Sequence, residues 1–247
     1  MNRWVSLLIS VAASSALAQT FVSDERKLKE SPRTMFIEVK LSPYTPLIDG
    51  ASVFSDLPAN ERPYAYLFDN TPMLMGEFEV EYQLFQKFGT LSAGVSIGYA
   101  EKFGKSIDSA TGQRIGQSTG LMLVPIKALL VYRFDWLKQK TRIPLVPYAK
   151  GAFVTMPWWI TNGSEEERLG QFKGNGVRFG LAGVLGLAVE LDFLDQRLAR
   201  DFDSSVGVNH TYLFAEGTFQ GMNFFPSVGP PLDFSSMHFM FGLGLEF

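Results

Sequence analysis

The chain has 247 residues, 46% hydrophobic and 14% aromatic, with 22 basic residues against 25 acidic ones and no cysteine. That much apolar and aromatic content excludes a disordered or fibrous chain. A net charge of −3 with no basic block argues against nucleic acid as a partner. Without cysteine there are no disulfides, no thiolate metal sites and no lipid-modified N-terminal cysteine.

Met1–Ala18 opens the chain with Arg3, an apolar stretch from Trp4 to Val11, and small residues ending Ala16-Leu17-Ala18. This order predicts a secretory signal peptide cleaved before Gln19. The stretch is shorter than the ~20 residues a spanning helix needs. Cleavage removes one Arg and leaves a mature chain of 21 basic and 25 acidic residues. Export without cysteine suits a bacterial envelope protein. Residues 19–34 are expected to form a short periplasmic segment, and residues 35–247 the folded domain.

From Met35 onward the hydrophobic period is two. In Met35–Ser42, Met35, Ile37, Val39 and Leu41 oppose Glu38, Lys40 and Ser42. In Leu74–Gln83, Leu74, Phe78, Val80 and Tyr82 oppose Glu77, Glu79, Glu81 and Gln83. In Thr90–Ala100, Leu91, Ala93, Val95, Ile97 and Tyr99 oppose Thr90, Ser92, Gly94, Ser96 and Gly98. Leu121–Phe134 sets Lys127 and Arg133 against an apolar face; Leu145–Thr155 is apolar on both faces apart from Lys150, so its phase stays open. Val177–Leu191, Asn209–Phe219 and His238–Phe247 complete eight predicted strands. Between the first two strands lies the long connection Pro43–Thr71. The connections Glu101–Gln117, Pro157–Lys173 and Gln220–Ser235 also read as long, whereas Phe85–Gly89 and Asp135–Arg142 are short. Asp192–Val208 breaks the pattern, and Leu191, Leu194, Leu198 and Phe202 recur there at helical spacing.

Together these features predict an all-β fold: an eight-stranded antiparallel transmembrane up-and-down β-barrel with a short periplasmic amphipathic helix, located in the cell outer membrane. A soluble barrel alternates too, but with apolar side chains inward. Here the charged face carries Glu77, Glu79, Glu81, Lys127, Arg133 and Arg178, which an apolar ligand pocket would not accommodate. Tyr44, Tyr82, Phe85, Tyr99, Tyr132, Phe134 and Tyr148 lie near strand ends, where interfacial aromatic girdles are expected. Phe239, Phe241 and Phe247 on the last strand resemble the C-terminal signal read by the barrel assembly machinery. Outer-membrane lipid and lipopolysaccharide are the expected surroundings, and the chain is expected to be monomeric. A salt-bridged lumen follows, with Lys40 within reach of Glu77 or Glu79 and no open pore.

Chemistry is harder to find. The two histidines, His210 and His238, fall on the last two strands, where Glu216 or Glu246 could orient one of them. That is a weak basis for catalysis, because no Ser sits two residues from His210 on its face. Glu165–Glu167 reads as a solvated charge run, and Asp49, Asp56 and Asp69 are too scattered for a calcium loop. Trp158-Trp159 reads as an interfacial anchor on a loop. No catalytic residue, cofactor or metal is assigned. The expected role is structural or surface-interacting, through Thr45–Thr71 and Pro157–Lys173. A lipid A deacylase- or acyltransferase-like enzyme and a small-solute pore are the alternatives.

Five segments resemble an uncharacterised family of bacterial outer-membrane β-barrel proteins: Phe36-Ile37-Glu38 running on to Pro43-Tyr44-Thr45-Pro46-Leu47-Ile48-Asp49, Tyr132-Arg133-Phe134-Asp135, the run from Ile143 to Lys150, Leu191-Asp192-Phe193-Leu194-Asp195, and Asn209-His210-Thr211-Tyr212-Leu213-Phe214. The resemblance implies fold and location, and it carries no activity or site residue.

Overall fold

The structure is a computed structural model, and it describes residues 33–50, 55–107, 114–135, 143–162, 165–166, 168–169, 172–194 and 196–247. The expected signal peptide and nearly all of the segment to residue 34 lie outside these residues, as does most of the Asp135–Arg142 connection. Strands follow the period-two segments: β1 Met35–Tyr44, β2 Met73–Gln86, β3 Thr90–Ile107, β4 Arg114–Leu123, β5 Ile126–Arg133 and β6 Leu145–Asn162. Three two-residue strands come next, β7 Glu165–Glu166, β8 Arg168–Leu169 and β9 Phe172–Lys173. Then come β10 Asn175–Glu190, β11 His210–Gly221 and β12 Ser236–Glu246.

Every pairing is antiparallel, and the pairings form a circuit. β1 pairs β2, β2 pairs β3, and β3 pairs β5 and then β4. Both β4 and β5 pair β6, which pairs β10; β10 pairs β11, β11 pairs β12, and β12 returns to β1. The predicted strand Leu121–Phe134 is thus one ribbon in two pieces. Pro125 interrupts it, having no N–H for the ladder, while its carbonyl still accepts from Gly98 N–H at 2.7 Å. A side chain at position 98 would meet the Pro125 ring, so glycine is required there. A circuit of pairings leaves no long unpaired edge along the eight ribbons.

The two faces differ as the alternation predicts. Val39, Leu41, Leu74, Phe78, Val95, Ile97, Leu130, Leu185, Leu213, Phe239, Phe241 and Leu243 are all exposed on the outside. Glu38, Lys40, Glu77, Glu79, Glu81, Lys127, Arg133, Lys150 and Glu216 are buried within. The open phase of the sixth ribbon resolves with Val146, Tyr148, Lys150, Ala152, Val154, Met156 and Trp158 inward.

The interior is filled in three levels. Near the short turns, Phe36, Val146, Tyr148, Ala188, Tyr212 and Phe214 pack together. The charged side chains occupy the middle. Toward the long connections lies an apolar cluster that includes Tyr44, Ile48, Tyr64, Phe68, Met73, Met75, Leu123, Met156, Trp158, Met222 and Phe234.

Several expectations need correction here. Tyr44 and Tyr148 are not girdle residues: both point inward and are buried, Tyr44 donating to the Phe234 carbonyl at 2.6 Å. Trp158 is not on a loop tip, because β6 runs through it and packs it on Phe234 with ring centroids 5.5 Å apart. The connections Glu101–Gln117 and Pro157–Lys173 are shorter than predicted, since β3, β4 and β6 extend into them. In the β3 extension Glu101, Lys102, Gly104, Lys105 and Ser106 carry no hydrophobic alternation, and in the β6 extension Pro157 reads as a loop start although the strand runs through it. The predicted helix is present as α2, Gln196–Val206, while Leu191 lies ahead of it and Leu194 in the preceding turn.

Pro43–Thr71 is not simply a polar loop. It holds a short 3-10 turn, Ile48–Gly50, and a helix α1, Pro63–Phe68, whose Tyr64 and Phe68 enter the interior cluster. Asp49 caps α1 from a distance, its two carboxylate oxygens accepting from the Tyr64 and Ala65 N–H groups at 2.6 and 2.8 Å. Burial, with the nearby Asp49 charge, pushes the Tyr64 phenol up to about 12. The neutral phenol therefore favours the closed cap fully below pH 10, the ordinary tyrosine value, and that contribution is lost as pH rises from 10 to 12. An alkaline step in the fluorescence of Trp158, in the same cluster, is expected over this range and should shrink in Tyr64→Phe. An identical step in the variant would contradict it.

Candidate functional site

The largest assembly of reactive side chains is the middle level of the interior. Three Glu alternate along β2 because period two puts positions 77, 79 and 81 on one face. β1 sets Glu38 and Lys40 beside them, in register with Glu79 and Glu77. The facing positions of β3 are Ser92, Gly94, Ser96 and Gly98, and a Cβ on Gly94 would come within 2.9 Å of the Glu81 side chain. Small residues there leave room for Lys127 and Arg133 on β5 to reach across.

The result is a shared network. Lys40 Nζ contacts Glu79, and lies 3.2 Å from Glu38, 3.3 Å from Glu216 and 3.6 Å from Glu77. Lys150 Nζ reaches Glu38 at 2.5 Å and Glu79 at 2.6 Å. Arg133 grips Glu81 with both amino nitrogens at 2.5 and 2.6 Å, donates to Glu38 at 2.8 Å, and stacks 3.9 Å over the Phe36 ring. Lys127 pairs Glu77 at 2.6 Å. Tyr148 donates its hydroxyl to Glu216 at 3.0 Å. The predicted contact of Lys40 with Glu77 or Glu79 is made with both. Lys150 and Tyr148 belong to this network as well, and the undecided phase of their strand hid them. Arg178 stands apart: it donates to the Leu232 carbonyl at 2.6 Å and to Ser227, fastening the last connection. Such an arrangement holds charges in place.

The histidines do not meet. His210 is in register with Glu246 at one end of β11, and His238 with Thr218 toward the other, so about 26 Å of strand separates them at ~3.3 Å per residue. Neither carboxylate considered as a partner serves. Glu216 is held by Lys40 and Tyr148, and Glu246 by Gln83 at 2.8 Å and Tyr212 at 3.0 Å. His238 is buried, with Nδ1 2.9 Å from Ser236 Oγ and its ring edge-on to Tyr44. His210 sits at the rim with Nδ1 2.5 Å from Asp192 Oδ2. Glu165 and Glu166 form β7, whose partner is β6; Asp49 is the helix cap, and Asp56 is exposed beside Ser55.

No protein-family model matches this sequence, and no curated protein matches it. Solved structures similar to it include the N-terminal β-barrel domain of Pseudomonas aeruginosa OprF, at 11% identity and a TM-score of 0.34 over 87% of this chain and 97% of that one. Ail, the attachment invasion locus protein of Yersinia pestis, is similar at 13% identity and a TM-score of 0.37 over the same shares. Ail in complex with the heparin analogue sucrose octasulfate gives 12% and 0.38, again over 87% and 97%.

Proposed function

We propose that the chain is an eight-stranded up-and-down β-barrel of the bacterial outer membrane, monomeric and noncatalytic, with a structural or surface-interaction role exercised from its long-connection side. One observation carries this reading: the sheet is inside out for water. Its buried face holds a network of Glu, Lys and Arg, while its exposed face is Leu, Val, Ile and Phe. A soluble fold that exposed so continuous an apolar surface would aggregate. In hydrocarbon the same surface is at home, and a circuit of pairings satisfies the backbone groups that lipid cannot.

The dimensions agree. On β12 the outward positions from Met237 to Leu245 carry no charge and span about 26 Å of strand, or about 20 Å of height at a ~40° tilt. Tyr82, Phe85 and Phe134 are exposed toward strand ends, where aromatic girdles meet lipid headgroups, whereas Tyr99, also exposed, falls in the middle of β3 because that strand runs on to Ile107. In this reading outer-membrane lipid and lipopolysaccharide contact the outer face, and the barrel assembly machinery reads β12, with Phe239 and Phe241, together with Phe247 just after it. The short turns and α2 face the periplasm. The 3-10 turn Ile48–Gly50 and α1 act as a partial lid, since Ile48, Tyr64 and Phe68 pack inward.

Membrane fractionation with gel mobility tests the reading. The protein is expected in the outer-membrane fraction, with the unboiled form migrating faster than the boiled one; recovery in the soluble periplasm would overturn it. Planar-bilayer recording is expected to show no steady conductance, because side chains fill the interior at all three levels. A stable open current would contradict the closed lumen.

A further inference from the structure

At the short-turn end, three metal-capable side chains converge from separate points of the chain. Glu190 ends β10, Asp192 lies in the turn after it, and His210 begins β11. One ligand atom from each lies within 4.8 Å of the others. His210 Nδ1 is 2.5 Å from Asp192 Oδ2 and 3.9 Å from Glu190 Oε2. Two donors held tetrahedrally by one ion at ~2.1 Å each lie about 3.4 Å apart. An ion would therefore replace the His210–Asp192 hydrogen bond, parting that pair by about 1 Å and drawing Glu190 in by about 0.5 Å.

From this geometry we propose that Glu190, Asp192 and His210 bind a divalent transition-metal ion of the zinc type. The donor set selects the class. One imidazole nitrogen with two carboxylates suits zinc, cobalt or manganese, whereas calcium and magnesium sites are built from oxygen alone. The ligands are also held in place. The second oxygen of Asp192 accepts the Thr211 N–H at 3.2 Å, which turns Oδ2 toward the imidazole. Tyr212 lies edge-on to the His210 ring at 6.2 Å. Glu190 is fixed by the β10–β11 ladder, opposite Tyr212. Asp192 and His210 are only partly covered, so water can complete the coordination from the turn side.

A metal here would staple the ends of the connection that carries α2. Two of the segments singled out in the sequence, those containing Asp192 and His210, would then be tied together. Their spacing of 18 residues gave no local ligand motif to recognise. The site needs only the β10–β11 ladder and does not depend on which solvent surrounds the outer face.

The test is isothermal titration of zinc chloride into the full chain, folded in detergent without an affinity tag. Background is low, since the chain has two histidines and the other, His238, is buried in the interior. One saturable site is expected, with affinity falling at least tenfold in His210→Gln and in Asp192→Asn. Calcium should not compete, and cobalt should give a visible d–d spectrum in the parent protein only. The heat-dependent gel shift reports whether each variant still folds, and the parent titration stands even if one does not. No saturable zinc binding by folded parent protein, or equal binding by His210→Gln, would overturn the proposal.

Discussion

Lys150→Met is expected to destabilise the folded protein by about 3–5 kcal/mol, the cost of leaving buried carboxylates without their partner. Lys150 is the closest cation to one oxygen of Glu38 and one of Glu79, at 2.5 and 2.6 Å, and all three are buried. Lys40 cannot take over, because it is already shared among Glu38, Glu77, Glu79 and Glu216. The informative companion is the double variant Lys150→Met with Glu38→Gln. Removing a negative charge along with the positive one should recover part of the loss, a non-additivity that a double-mutant cycle measures directly. Urea unfolding in phospholipid vesicles followed by tryptophan fluorescence supplies the numbers. A loss below about 1 kcal/mol would mean that the network is wet and screened, as exposed pairs are.

Leu185→Arg provides the second large effect, on the opposite face. Leu185 is 66% exposed and points outward from the middle of β10. For a protein in water, an arginine at so exposed a position would change stability by about 0.5 kcal/mol or less. At the midplane of a bilayer it costs ~2–4 kcal/mol, falling to ~0–1 kcal/mol near the interfaces. Met237→Arg, at the loop-side end of β12, is therefore expected to be several-fold milder than Leu185→Arg in vesicles. Equal, small effects at both positions would argue for an aqueous outer face.

How much of this was legible in the sequence depends on the local contrast between faces. Glu77, Glu79 and Glu81 alternating with Phe78, Val80 and Tyr82 leave one register open, and a slip of one residue would turn three carboxylates outward. The three-Glu row also called for Lys40, Lys127 and Arg133, because a buried row of like charge must be neutralised. Lys150 was ambiguous for the opposite reason: its neighbours Tyr148, Ala149, Gly151 and Ala152 are all tolerated on either face. Tyr44 misled because an aromatic at a strand end suits a girdle and an interior cap equally, and Trp158 because it follows Pro157 and so reads as an anchor on a loop. Only the long-range contact of each with Phe234, 190 residues from Tyr44 in the chain, separates the two readings. The lid was hidden likewise, since Tyr64 and Phe68 lie in a segment whose prolines and polar residues read as open loop. The grouping of Glu190, Asp192 and His210 arises from β10–β11 pairing across the α2 connection, which no spacing rule anticipates.

The absence of cysteine allows the most direct test of which side the apolar face belongs to. Single cysteines at Val95, Leu185 and Leu213, and at Leu57 on the first long connection, can carry nitroxide labels in protein reconstituted into vesicles. The first three are expected to collide with dissolved oxygen and to be shielded from a water-soluble nickel reagent, with Leu57 showing the reverse. Free access of the nickel reagent to Val95, Leu185 and Leu213 in folded protein would place that face in water and contradict the membrane assignment.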